Sequence, residues 1–264
     1  MLEAVQHIRR MRGGSQSHLM RCSDGGYYVV KFQNNPQGLR TLANEMLGTK
    51  LASRLSLRVP EGEIVSVSDG LIAHCKELEV QLGRGSTPCK PGLQFGSRYP
   101  GRYRETPVFD FLPNEQLGEV LNLADFLGIL VFDKWTCNTD GRQAIFIRDR
   151  NGCQYSAYMI DNGFCFNAAE WTFPDAPLRG LYARRQVYEA VQGMKSFDFW
   201  IESVERTTES MLKDIYSAVP AEWYDHDSDA IEKMLDRLLR RRSLVPDLIR
   251  SAWKSSAQPF PNWR

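Results

Sequence analysis

Asn138-Thr139-Asp140-Gly141-Arg142, followed downstream by Met159-Ile160-Asp161-Asn162-Gly163-Phe164, decides how this chain is read. The first stretch comes after Leu123-Ala124-Asp125-Phe126-Leu127-Gly128-Ile129-Leu130-Val131-Phe132. That segment is apolar almost all round, which predicts a buried helix. The second closes the short apolar strand Tyr158-Met159-Ile160. One carboxylate therefore falls in a polar loop after a buried helix, and another at the tip of a strand. Upstream, Lys31 ends the strand Tyr27-Tyr28-Val29-Val30-Lys31-Phe32, and Glu45 sits on the helix that follows.

A base, a metal-holding carboxylate, and a lysine steadied by a glutamate are the parts that phosphoryl transfer requires. Each has a plain structural reading. Asn-Thr-Asp-Gly suits an Asx-turn, and Asp-Asn-Gly suits the end of any strand. Lys31 could be a surface residue and Glu45 a boundary residue with a solvated head. Glu45, however, shares a helical arc with Gly48, Ala52 and Leu55, where an unpaired carboxylate is costly. The order of the parts, and the element each occupies, carries the argument.

Composition sets wide bounds. The 264 residues suffice for one large domain or two lobes, with 33 basic and 32 acidic side chains. That balance argues against direct nucleic-acid binding, and no apolar run is long enough to span a bilayer. The first residues lack the basic region and apolar core of a signal peptide. Cys22, Cys75, Cys89, Cys137, Cys153 and Cys165 are scattered without a CxxC pair. Such thiols are expected to be reduced in a cytoplasmic protein.

Along the chain, strands are predicted over 4–10, 18–22 and 27–32, with a turn at Asp24-Gly25-Gly26. A helix over 40–57 follows. A second hairpin is expected from 63–67 and 71–76 across Ser68-Asp69-Gly70. Residues 83–107, rich in Gly, Pro, Ser and Arg, read as an inter-lobe loop, leaving 1–82 as an N-lobe and 108–264 as a helical C-lobe. The C-lobe carries a buried helix in the second half of 115–135 and one small hairpin, 144–148 with 155–160, turning at Asn151-Gly152. Amphipathic helices are expected over 198–218, 228–242 and 245–255. The expected fold is α+β and bilobal, with a β-rich N-lobe, a mainly helical C-lobe and nucleotide in the cleft between them.

Gly13-Gly14-Ser15-Gln16-Ser17-His18 could aim backbone N–H groups at phosphates. It is neither a Walker A sequence nor GxGxxG, and a plain hairpin loop is the competing reading. Asn138 and Arg142 would fix the loop that carries Asp140. Asp133 reads as a structural acceptor for that loop's N–H groups, and Cys137 and Cys165 as packing residues. The run Arg237, Arg240, Arg241, Arg242 reads as a helix C-terminus.

Together these residues resemble the HipA-like kinases, in particular short, single-module bacterial members related to the HipA Ser/Thr kinase toxin. The resemblance rests on 24–32, on Asn44-Glu45 through Leu57-Arg58-Val59-Pro60, on Phe132-Asp133-Lys134-Trp135 with 138–142, and on 159–164. It implies ATP and Mg²⁺ as cofactors and a kinase-like fold. Lys31 would contact nucleotide phosphates with Glu45 as its partner, and Asp140 would be the catalytic Asp. Asp161 would be the metal ligand, and Ser15, Gln16, Ser17 and His18 would lie in the phosphate loop. Residues 164–182 would form an activation loop. One position departs from the pattern: Ile145 stands where such kinases carry an Asn as second metal ligand. Gln143 is the nearest polar substitute, Asn138 a more distant one.

The leading expectation is an ATP- and Mg²⁺-dependent kinase acting on a Ser/Thr hydroxyl of a protein. A lipid or small-molecule hydroxyl is an alternative acceptor. Ile145 favours a second reading, a nucleotide-binding pseudokinase acting as a partner in a toxin–antitoxin pair. An antitoxin or other regulatory protein is the partner implied. Residues 75–78 are expected to form the inter-lobe strand.

Overall fold

A computed structural model describes residues 1–149 and 152–264, so Asn151 of the expected turn lies outside the described residues. The first part runs β1 (Leu2–Arg10), β2 (His18–Cys22), β3 (Tyr27–Lys31), α1 (Thr41–Arg54), β4 (Gly62–Val67), α2 (Asp69–His74), β5 (Glu79–Leu82), β6 (Gly85–Pro88) and β7 (Gly92–Arg98). Five of these strands close a barrel in the order β1-β2-β3-β7-β4, antiparallel except where β1 meets β4. Alternation along β3 sends Tyr28 and Val30 into the barrel core with Met20 and Val65. Val29 and Lys31 therefore face the other way. The turn before β3 is held by Asp24, whose carboxylate accepts the Gly26 N–H at 2.8 Å.

Three expectations are corrected here. Residues 71–74 are helical rather than extended, because the Ser68 hydroxyl caps α2 by accepting the Leu71 N–H. The stretch 83–107 is not a continuous loop, for it contains β6 and the central strand β7, which pairs with both β3 and β4. Two of its polar and small residues, Gln94 and Gly96, are buried in the middle of β7. Residues 75–78 close α2 and pack Leu78 into the barrel core, so they are not the inter-lobe strand. That place is taken by β7, which runs on through Tyr99 and Pro100 to β8 (Val108–Phe109).

The second part contains α3 (Asp125–Thr136), β9 (Gln143–Arg148), β10 (Tyr155–Ile160), α4 (Asp198–Glu205), α5 (Glu209–Tyr216), α6 (Ser228–Arg240) and α7 (Val245–Trp253). The β9–β10 hairpin gains β8 as a third strand. The single helix expected over 198–218 is two. Thr208 is extended and caps α5 by accepting the Met211 N–H, which breaks the run. Every residue of α3 from Phe126 to Thr136 is buried, as its uniform apolarity predicts. The run Arg237 to Arg242 does mark a helix end, with Arg237 and Arg240 in the last turn of α6 and Arg241 at its C-cap, but Arg241 is buried. It donates to the carbonyls of Lys134 and Trp135 at the end of α3 and pairs with Asp175.

Helix α1 connects the two parts. Its Leu42, Met46, Leu47 and Leu51 share one core with α3 and the C-terminal helices, while the barrel keeps a separate core. Gly48 allows the close approach: a Cβ there would lie 2.6 Å from the Asn162 Cβ.

Candidate functional site

A cleft of about 740 Å³ lies between the barrel and the C-lobe. Its floor is a buried polar cluster. Lys31 pairs with Glu45 and, at 2.8 Å, with Asp161 Oδ1. The other Glu45 oxygen accepts the Asn162 N–H at 3.0 Å, so this carboxylate is used on both sides. Burial works against charge on all three groups. For Lys31 the two carboxylates overcome it, and its pKa is raised above the ordinary lysine value. Burial raises the Glu45 pKa, with Lys31 opposing, whereas Lys31 outweighs burial at Asp161 and holds that carboxyl below its ordinary value.

Asp161 has a left-handed backbone (φ 65°), which an Asp tolerates better than most residues. This conformation swings its carboxylate back under the cleft. Gln143 Nε2 donates to Asp161 Oδ2 at 3.2 Å. Gln143 and Ile145 lie two residues apart on β9, hence on one face of the strand, and both line the cleft. Strand geometry thus puts an amide beside Asp161, one step along from the apolar Ile145.

Beneath this cluster lies a second. Arg142 pairs with Asp133 and donates to Ile160 O at 2.8 Å and to Asn162 Oδ1 at 3.1 Å. Asp133 also accepts from the Asn138 side chain at 3.0 Å, and Asn138 Oδ1 accepts the Asp140 N–H at 3.1 Å. Asn138 is buried, bonded through both ends of its amide and absent from the cleft lining, which rules against its reading as a metal ligand. Arg142 is likewise buried, though it contributes to the cleft lining, and its bonds to Asp133, Ile160 and Asn162 hold the loop in place. Asp140 is exposed and is not among the residues that line the cleft, and one of its carboxylate oxygens accepts the Gly141 N–H at 2.8 Å.

The phosphate-loop residues divide. Ser15 and Ser17 line the cleft with Gly13. Gln16 does not. Its amide exchanges hydrogen bonds with the Gln81 backbone at 2.9 and 2.8 Å and accepts from Arg10, so it anchors the loop from outside. His18 begins β2 and points into the barrel, fully buried, 3.1 Å from His7 and edge-on to Phe32. Neither side chain is available to a phosphate.

The sequence reading passed over Asn44 and Asn162. Asn44 donates to Gly163 O (2.9 Å) and Ala168 O (2.8 Å) and accepts from Trp171 Nε1, tying the segment after Asp161 to α1. Asn162, inside the Asp-x-Gly, also donates to Thr49 Oγ1 at 3.1 Å. The available signal was Asn44-Glu45 and Gly48-Thr49, polar and small residues on a helix face that has to be buried. Further along, Lys134 donates to Pro177 O at 2.7 Å, and burial lowers its pKa to about 8.

Among the described residues no group of three or more His, Cys, Asp or Glu side chains could hold a metal ion, and no helix is long and apolar enough to cross a membrane. One carboxylate with a neighbouring amide nevertheless fits an ion that takes its remaining ligands from phosphates and water.

A family profile described as HipA-like kinase matches residues 4–245. Several solved structures share the fold. Hydra Fam20, solved with sugar, is 13% identical, with a TM-score of 0.59 over 97% of this chain and 87% of that one. The Golgi casein kinase with Mn/ADP bound is 14% identical, with a TM-score of 0.53 over 96% and 74%. The Helicobacter pylori proinflammatory kinase CtkA is 13% identical, with a TM-score of 0.54 over 92% and 93%. No curated protein matches the sequence.

Proposed function

The chain belongs to the HipA-like kinase family, and on that premise we propose that it transfers the γ-phosphoryl group of ATP, with Mg²⁺, to a Ser/Thr hydroxyl of a protein. The observation that carries this reading is Lys31 held between Glu45 and Asp161 at the floor of the cleft. A lysine so placed can grip phosphate oxygens without wandering, because both carboxylates fix its ammonium.

Asp161, with Gln143 beside it, would hold the metal ion, whose contribution is to neutralise charge on the phosphates. Backbone N–H groups around Ser15 and Ser17 roof the phosphates. The acceptor hydroxyl would approach beside the exposed Asp140, two residues from the cleft-lining Arg142, and Asp140 would take its proton. A bond then forms between the acceptor oxygen and the γ-phosphorus, while the bond from phosphorus to the bridging oxygen breaks and leaves ADP. Arg142 and Asn138 hold the Asp140 loop still throughout.

Ile145 favours a second reading, a nucleotide-binding protein with little turnover that serves a regulatory or antitoxin partner. The two separate in one experiment. Purified protein is incubated with radiolabelled ATP and Mg²⁺, with and without cell extract, and wild type is compared with Asp140→Asn and Asp161→Asn. Label that disappears in both variants supports the kinase. Metal-dependent ATP binding without any label would move the assignment to the second reading.

A further inference from the structure

Of the five cations among the residues that line the cleft, three are already matched. Lys31 faces two carboxylates, Arg142 faces Asp133, and Arg98 faces Glu61 at 3.0 Å. Two arginines on the roof differ. Arg9 and Arg12 line the same cleft, both are exposed, and neither forms an ion pair or a side-chain hydrogen bond among the described residues. Arg9 lies toward Tyr99, at the strand-to-C-lobe crossing. Arg12 lies in the loop between β1 and β2, next to Gly13 and near Ser15 and Ser17.

The base of that loop is fixed. Met11 N–H donates to Ser17 O at 2.8 Å, and Gln16 N–H to Gly13 O at 3.2 Å. Gln16 is tied to Gln81, and Asn35 donates to Ser15 O at 3.0 Å. Arg10, next in line, is turned outward onto Gln16. The loop is thus held by its outer side, and its Arg12 lines the cleft without a partner among the described residues. Across the cleft stands Ile145, apolar where a second metal-holding amide is expected.

The geometry points to Arg12 as a catalytic residue that contacts the γ-phosphoryl group of the nucleotide. Resting on the kinase reading above, it supplies from the roof the positive charge that the floor lacks at Ile145. A guanidinium can bind two phosphoryl oxygens at once and retains its charge through the reaction, as needed when the bond to the bridging oxygen opens. The contact is a hydrogen bond and an ion pair, so the only covalent bonds that change are those of the transfer itself.

The test is nucleotide binding, which needs no turnover. Calorimetry with Mg²⁺ compares ADP with a non-hydrolysable ATP analogue on wild type, Arg12→Ala, Arg12→Lys and the control Arg21→Ala, an exposed arginine of β2 that does not line the cleft. Arg12→Ala is expected to weaken the triphosphate by about 10- to 100-fold, with ADP changed by less than about threefold. Arg12→Lys should recover part of the difference, and Arg21→Ala should match wild type. Equal loss of both nucleotides, no loss of either, or the same loss in Arg21→Ala would overturn the role of Arg12. Failure of wild type to bind either nucleotide would instead overturn the proposed function, and this inference with it.

Discussion

Two buried charge clusters meet at Asn162 and are built to different standards. In the lower one, Arg142 and Asp133 have no exposed side-chain surface, and each is bonded to more than one partner. In the upper one, Asp161 keeps 16% of its side chain open, and its second oxygen meets only a 3.2 Å amide from an exposed residue. A closed network fixes geometry but has no capacity left. An open one retains lone pairs for a ligand at some cost in stability. The difference assigns the lower cluster to holding the loop and the upper one to binding.

The largest effect should come from breaking the closed cluster. Asp133→Ala strands a buried guanidinium and should cost about 3–5 kcal/mol in urea unfolding. Removing both charges, Asp133→Ala with Arg142→Met, should cost measurably less than Asp133→Ala alone. If the double variant is the weaker, the two residues are not a matched pair.

Asp161→Asn should behave oppositely. Its own stability should move little, but it should lose the ligand response that wild type shows, about 2.7 kcal/mol with Mg²⁺-ATP at 100 times its dissociation constant. A thermal shift that survives in Asp161→Asn would place the metal elsewhere.

A neutral buried group extends the comparison. Burial, with His7 and Arg10 nearby, lowers the His18 pKa to about 4 from an ordinary 6.5. Between those values the unfolded chain binds the extra proton, so stability should fall as pH drops through that window, by roughly 1–3 kcal/mol. His18→Gln should flatten the acid limb of a stability–pH curve, and an unchanged slope would exclude His18 as its source.

Gln143→Ala should be the mildest change, within about 0.5 kcal/mol in stability. Its effect should appear as weaker metal dependence of nucleotide binding in a Mg²⁺ titration. Unchanged metal dependence would leave Asp161 as the only protein ligand.

The order of elements was legible because it follows from period and turn chemistry. The apolar run before Asp133, the strand ending at Lys31 and the hairpin ending at Asp161 each lie where the pattern predicts. Less legible was anything set by a single hydrogen bond. One hydroxyl at Ser68 turns the following residues helical, and one at Thr208 splits a helix. Strand β7 was hidden by its composition, although it is central to the barrel. Within the site, Lys31, Glu45 and Asp161 converge as their elements dictate. Gln16, His18 and Asn138 do not, because alternation and local bonding turn them outward, into the barrel and under the loop. Asn44 and Asn162 stood inside the stretches that carry the resemblance without a role of their own, and their signal was the oddity of amides where burial is expected.

Helix α1 shares its core with the C-lobe, and Asn44 bolts it to the segment after Asp161. Lys31 rides on the barrel. Were the two bodies to part, Glu45 would stay with the base and Lys31 would leave with the roof. The ion pair at the cleft floor therefore spans the seam between the barrel and the base.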